Sequence, residues 1–509
     1  MARASSFLGQ VVLGWYLSPA QFGIYGTAIG VLGVTGGARA GGVATFLPTM
    51  KPEEFRTEAG RLFGWGLFCV TGGAVLTALA AEPAAVWFNQ PPLALALYVL
   101  AVRHILAVIA LMPRMRMTVD HRFKELAILD TVGSLVKLAL TCVLAVWLWD
   151  TEYAILAIAV PFAVSTLVEI AYCLPASGIT LAEFTPKPRL LWSTAKSVRW
   201  ALAVAVLFSL NSQANFVLIA KMVPAAAVGW IYFAYQLAVQ PMMLFNGALT
   251  NVFAPMMARQ RGNPAQERET IHRVFAGSML LIPFVVFGTF ALFPSVEALV
   301  YSGRWRGATV PFFFLCLGTC FATVSMLLTG PLLGLRQFTT LAGFEATRAI
   351  GLIGGTALGF VACLLFGLDL TAPNLADGSP AHDVSLGAGV IAAGIGLSMA
   401  GVAVWQIATV MKRYKMPTSE LLRALLMGPL VGLLTMVTAI SLGDSVSQSV
   451  DPRALHPKTD DLIRLAVTGT TFAAISIVCI RFIAEGTLRR TVEVMPEGLR
   501  KKTERLLRF

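Results

Sequence analysis

The stretch NSQANFVLIAKMVPAAAVGWIYFAYQLAVQ, residues 211–240, decides the reading of this chain, because a version of it occurs twice. A polar cluster (Asn211, Ser212, Gln213, Asn215) leads into an apolar run that ends at Lys221. A break at Val223-Pro224 follows, then Gly229, Tyr232, Tyr235, Gln236 and Gln240, and the segment closes on Phe253-Ala254-Pro255. Near the N-terminus, Ser18-Pro19 precedes Gly23 and Tyr25, and that segment closes on Phe46-Leu47-Pro48. Pro19 matches Pro224, Gly23 matches Gly229, Tyr25 matches Tyr232 and Pro48 matches Pro255, at offsets of 205 to 207. A second echo runs at offset 215, where Phe123, Leu126, Ala127 and Asp130 return as Phe338, Leu341, Ala342 and Glu345. Internal duplication over a hydrophobic chain is a common plan of secondary transporters. The chain therefore reads as two related halves.

Composition agrees. The chain is 57% hydrophobic and 13% charged, against about 25% charged in an ordinary soluble domain. Apolar stretches of 18 to 26 residues recur along it, long enough to cross a bilayer. A net charge of +12 does not point to nucleic acid, since the basic residues sit in short loops between spans, where the positive-inside rule puts them. The seven cysteines fall in apolar runs without metal or disulfide spacing and read as small packing residues. The histidines form no zinc motif, no Gly-Lys pair marks a nucleotide loop, and no motif asks for a cofactor.

The sequence predicts an all-α polytopic membrane protein of fourteen spans, near 5–17, 22–47, 59–81, 92–112, 126–149, 153–174, 200–222, 226–247, 274–300, 308–330, 340–366, 386–411, 421–442 and 463–483. The first is short for a bilayer, and a start site further upstream is the expected reason. With the N-terminus inside, 26 Lys and Arg lie in cytoplasmic segments and 4 in outer loops, which sets both termini inside. Trp87, Trp147, Trp149, Trp192, Trp200 and Trp305 fall near span ends, as interfacial anchors do. Six spans separate the repeats, so the halves share one orientation and an axis along the membrane normal. The expected organisation is a six-helix lobe over 1–195, its repeat over 196–415, and two further helices with a basic tail over 416–509.

Four segments carry a further likeness: Leu17-Ser18-Pro19-Ala20-Gln21-Phe22-Gly23-Ile24-Tyr25; Arg122-Phe123-Lys124-Glu125-Leu126-Ala127; Asn215 to Tyr232 with Phe253-Ala254-Pro255; and Phe293-Pro294 with Tyr301-Ser302-Gly303-Arg304-Trp305 and Ala308. In this order, over roughly residues 1–415, they resemble the Wzx-type oligosaccharide flippases of the multidrug/oligosaccharidyl-lipid/polysaccharide exporter superfamily. The resemblance implies a two-lobed transporter in the bacterial cytoplasmic membrane. It would move undecaprenyl-diphosphate-linked oligosaccharide outward for lipopolysaccharide or exopolysaccharide, beside a polymerase and glycosyltransferases of the same pathway. Family members often carry Asp where Asn215 stands. The related lipid II flippases have several arginines in and after the first helix, whereas this chain has none between Arg3 and Arg39.

Charges inside spans cost about 2.5–3.5 kcal/mol each near a helix centre and usually face a cavity or a partner. At about 1.5 Å per residue, Arg39 lies roughly 12 Å from the inner end of its span, Arg103 roughly 14 Å, Lys137 roughly 16 Å and Arg348 roughly 12 Å. Four cations at similar depth suit a lipid diphosphate, which needs charge-assisted donors away from bulk water. The structural alternative pairs Arg348 with Glu345 one turn earlier, and Arg39 with Glu169. For Lys137 and Arg103 no acid lies close in sequence. Asp130 and Glu345, the repeated acids, either complement a helix N-terminus or couple transport to an ion; Glu169 and Asn215 are further candidates for coupling or gating. Asn211, Gln213, Gln236 and Gln240 either bind sugar hydroxyls or link helices.

Two rival functions are weighed. A drug or cation antiporter of the same superfamily would place a carboxylate in the first or seventh span, and residues 5–17 and 200–222 hold none. A polymerase or ligase would need acid/base residues on a sizeable outer loop, where Asp369, Asp377, His382 and Asp383 form no recognisable arrangement. The expectation is a transporter and not an enzyme.

Overall fold

A computed structural model of the protein describes residues 2–36, 42–43, 52–120, 122–151, 153–178, 185, 190–260, 262–335, 337–370, 382–449 and 457–492. Among them there is no strand. The helices are α1 (Ala2–Tyr16), α2 (Pro19–Thr35), α3 (Pro52–Trp87), α4 (Pro92–Val119), α5 (Phe123–Leu148), α6 (Leu156–Ala176), α7 (Leu191–Met222), α8 (Ala225–Gln260), α9 (Pro264–Tyr301), α10 (Arg306–Gly334), α11 (Phe338–Leu365), α12 (His382–Arg413), α13 (Thr418–Ser449) and α14 (Pro457–Val492). All but α1, α2 and α8 are at least 18 residues long and apolar enough, over their described residues, to cross a membrane. Each of the fourteen spans read from the sequence overlaps one of these helices. The protein is a multi-pass membrane protein.

Helix starts follow from local chemistry. Ser18 caps α2 in a reciprocal box: its Oγ accepts from the Gln21 amide at 3.3 Å, and the Gln21 side chain accepts from the Ser18 amide at 2.8 Å. Pro19 stands in the first turn, where its missing N–H costs nothing. That accounts for the Ser-Pro-Ala-Gln of the first repeat. Arg122 pairs with Glu125 across the start of α5 and also donates to the Ala176 carbonyl at the end of α6. So the Arg-Phe-Lys-Glu segment ties two helix ends together. The sequence ran the second span to 47, but α2 ends at Thr35 and is capped at Gly36. Gly36 is a reason, since Gly costs a helix about 1 kcal/mol relative to Ala; of the remainder of that span, residues 37–41 and 44–47 lie outside the described residues.

Packing divides the chain into two compact units. One comprises residues 1–232, 338–353 and 370–375; the other comprises 233–337, 354–369 and 376–509. The first unit is built on a glycine seam. Gly23, Gly26, Gly30 and Gly33 recur at spacings of three and four along α2. A Cβ on Gly23 would lie 1.8 Å from the Ala225 carbonyl oxygen, and one on Gly229 would lie 1.8 Å from that of Pro19. The contact is reciprocal: each member of the duplicated pair touches the backbone at the start of the other's helix. Tyr25 and Tyr232, the next duplicated pair, meet edge to face at 5.4 Å. Two equivalent surfaces meeting each other are what a two-fold axis between repeats produces. Farther along the seam, Gly30 and Gly33 admit α7, and Ser209 donates to the Gly33 carbonyl at 3.1 Å.

In the second unit two of the close approaches lie on α12. Gly394 leaves its Cβ position 2.3 Å from the Gly355 carbonyl oxygen of α11, and Gly396 leaves its own 2.0 Å from that of Phe314 on α10. Small residues let helix backbones touch where lipid supplies no hydrophobic drive. The turn Tyr301-Ser302-Gly303-Arg304-Trp305 is closed by Glu297, whose carboxylate accepts from the Trp305 amide at 2.7 Å. Ser302 and Gly303 take φ of 55° and 88° there. Trp305 is fully buried and stacks on Phe233 at 4.0 Å. It is therefore no interfacial anchor, unlike the exposed Trp87, Trp147, Trp149, Trp192 and Trp200. Its position near a span end is that of a buried turn.

Candidate functional site

Three helices of the first unit, α4, α5 and α6, carry two layers of functional side chains. The deeper layer holds Arg103, Lys137 and Phe162. The Lys137 ammonium lies over the Phe162 ring, 3.6 Å from its centroid, and the Arg103 guanidinium carbon is 5.2 Å from the same centroid. Two unit charges on one ring, at most about 9 Å apart, repel by roughly 2 kcal/mol at an effective dielectric constant near 20. Each contact to the ring returns about 0.5–2 kcal/mol. No carboxylate among the described residues forms an ion pair with either cation, and the Arg103 Nε is buried without a hydrogen-bond partner. The pair that the sequence left without acids is brought together here.

The second layer lies toward the Val119 end of α4, the Phe123 end of α5 and the Ala176 end of α6. Asp130 precedes Lys137, and Phe162 precedes Glu169, by seven residues each, about 10 Å along a helix and on the same side of it. Arg114 of α4 joins the two acids, with 2.7 Å to Glu169 and 2.8 Å to Asp130. The sequence also paired Glu169 with Arg39, and Arg39 lies outside the described residues. The sequence ended the span at 112, before Pro113, yet α4 continues to Val119 and so carries Arg114 between its partners. Pro is tolerated there because neighbouring groups in a bundle take up the freed backbone.

A third group lies where α7 meets the start of α11. Residues Leu210–Ala214 form a π-helical turn within α7, and such turns often mark functional positions. From it, Asn211 donates to the Glu345 carboxylate at 3.3 Å. Glu345 also pairs with Arg348, and both side chains are buried. Arg348 is thus engaged, in contrast to Lys137. Asn215, just past the π turn, is 1% exposed, and neither its amide oxygen nor its nitrogen has a hydrogen-bond partner among the described residues. Gln213 packs its Cβ toward Gly33. Gln236 and Gln240 lie in the second unit, where Gln240 donates to the Gln236 carbonyl at 3.1 Å. Phe162 was missed by sequence reading, because one Phe in an apolar span gives no signal until the cations that flank it are known.

Comparison with known proteins gives three findings. The polysaccharide biosynthesis protein family matches residues 12–310. The fold is similar to the lipid II flippase MurJ in an inward closed conformation, at TM-score 0.67 and 12% identity, covering 95% of this chain and 97% of that one. It is also similar to an inward-facing multidrug resistance MATE family transporter of the MOP superfamily, at TM-score 0.56 and 12% identity, covering 81% of this chain and 94% of the other. No curated protein matches the chain by sequence. These likenesses confirm the all-helical fold with pseudo-symmetric lobes.

Proposed function

We propose, from the premise that this chain belongs to the polysaccharide biosynthesis protein family, that it is a flippase carrying lipid-linked oligosaccharide from the inner to the outer leaflet of the cytoplasmic membrane. One observation carries the reading: Lys137 and Arg103 converge on Phe162 at mid-span without a carboxylate among the described residues. A lipid diphosphate supplies the missing negative charge, and an arginine and a lysine give it charge-assisted donors in a site held from bulk water. The polyprenyl tail stays in the bilayer while the polar head crosses, as in alternating access.

Roles for the other groups follow their partners. Arg114 holds Asp130 and Glu169 as an ionic tie among α4, α5 and α6, which stiffens the floor beneath the cationic layer. Glu345, bonded by both Arg348 and Asn211, is the best-placed acid for coupling to an ion, with Asn215 beside the π turn. Asn211 and Gln213 face that region and are the nearer sugar-contact candidates, ahead of Gln236 and Gln240. Arg39 and Arg348 complete the set of cations read from the sequence. Both termini inside, and repeat lobes over 1–195 and 196–415 followed by 416–509, are supported by the charge bias and by the Gly23–Gly229 contact. The reaction moves its substrate without breaking a bond.

The test is a deletion strain in which lipid-linked oligosaccharide accumulates on the inner leaflet. Lys137→Ala and Arg103→Ala are expected to reach the membrane at normal levels and fail to restore export, while Lys137→Arg retains a measurable part. Full activity of the Lys137→Ala, Arg103→Ala double variant would refute the assignment.

A further inference from the structure

Beside Lys137 lies a cavity of about 50 Å³. Its polar lining is Ser5 and Gln10 from α1 with Ser134, Lys137 and Thr141 from α5, and it includes no carboxylate. By this measure a cavity needs only about 10–15 Å³ to hold one water, so the space takes a small ion together with a few waters. Every polar group around it can offer a proton: an ammonium, three hydroxyls and an amide N–H. The demand for negative charge comes from the neighbouring ring, where Arg103 and Lys137 share Phe162. Three acids of the same unit are already committed, Asp130 and Glu169 to Arg114 and Glu345 to Arg348. Two mid-span cations with no ion-paired acid among the described residues call for a countercharge.

We infer that this cavity binds a small monovalent anion of the halide class, which neutralises the Lys137–Arg103 pair while no diphosphate is present. The inference rests on the proposed function only in that the diphosphate would displace the halide. It also gives α1 a part in the site through Ser5 and Gln10.

The experiment uses the purified full chain in lipid nanodiscs at constant ionic strength, with sodium gluconate replaced stepwise by chloride, bromide or sulfate. Thermal unfolding is followed in wild type, Lys137→Met and Lys221→Met; the Lys221 Nζ donates to the Trp87 carbonyl at 3.3 Å and is not part of the cavity lining. The midpoint is expected to rise and saturate with chloride and bromide but not with sulfate, in wild type and Lys221→Met alike. Lys137→Met is expected to lose the rise. Should Lys137→Met fail to fold, Ser134→Ala and Thr141→Val carry the test, and each should raise the chloride needed for half the shift several-fold. A wild type without a halide-specific shift, or cavity variants with the wild-type shift, would overturn the inference. Export in the deletion strain reads the flippase assignment and the chloride shift reads the ion, so either can fail alone.

Discussion

Gly23→Ala and Gly229→Ala should damage the protein equally, and the double variant should cost clearly less than the two singles together. The Cβ of either alanine would start 1.8 Å from a backbone carbonyl oxygen, Ala225 for the first and Pro19 for the second. Ordinary carbon–oxygen contact begins near 3.3 Å, so the start of α8 must move from α2 by more than about 1 Å. No flexible side chain can absorb this, because the obstructing atom is main chain in both cases. Overpacking of this kind costs about 1–3 kcal/mol, occasionally more, and each single variant belongs at the upper end. One displacement relieves both clashes, since each glycine faces the other's helix start. The coupling energy in a double-mutant cycle should therefore be about 1–2 kcal/mol in the compensating direction, well above the few tenths seen between independent sites. Reversible unfolding in mixed micelles gives the three free-energy differences, with membrane levels checked by blot. Additive losses, or one harmless single variant, would refute the two-fold reading of this contact.

Other expectations follow from the remaining contacts. Arg114→Ala should destabilise by about 1–2 kcal/mol, a modest figure because all three partners are partly exposed; neutralising both acids (Asp130→Asn with Glu169→Gln) in that background should restore much of the loss in the same unfolding assay. Trp305→Ala should cost about 3–5 kcal/mol, and Glu297→Gln, which keeps an acceptor for the Trp305 amide, should unfold at higher denaturant than Glu297→Leu. Single cysteines at 377 and 413, in a background lacking the native seven, should label with an impermeant thiol reagent from outside and inside respectively; outside labelling at both would end the fourteen-span topology.

The sequence made the spans, the duplication and the Lys137–Arg103 pair legible because each is a local signal: an apolar run, a fixed offset, a charge where charge is costly. What it hid depends on which helices are neighbours. Arg114 looked like a loop cation until α4 proved to pass through Pro113. Gly23 was visible as half of a repeat, but the rest of the seam, Gly26, Gly30 and Gly33, has meaning only once α7 and α8 lie against it. The aromatic partner of both cations, Phe162, and the α1 residues Ser5 and Gln10 are ordinary in an apolar helix. Trp305 misled because an indole near a span end serves either an interface or a buried turn, and only its stacking on Phe233 separates the two.

The unshared charges of Arg103 and Lys137 also bear on how the chain enters the bilayer. Neither forms an ion pair with a carboxylate among the described residues, so no salt bridge seen there compensates a helix that hesitates at the translocon. Each segment has to partition on its own apolar residues, against the roughly 2.5–3.5 kcal/mol that a central cation adds. The segment carrying Arg103, Pro92–Thr118, has a mean hydropathy of 2.3, the highest of the eleven, and Lys124–Leu148, carrying Lys137, has 1.9. An added polar residue anywhere in α4 would thus be felt first during membrane integration, before any step of transport.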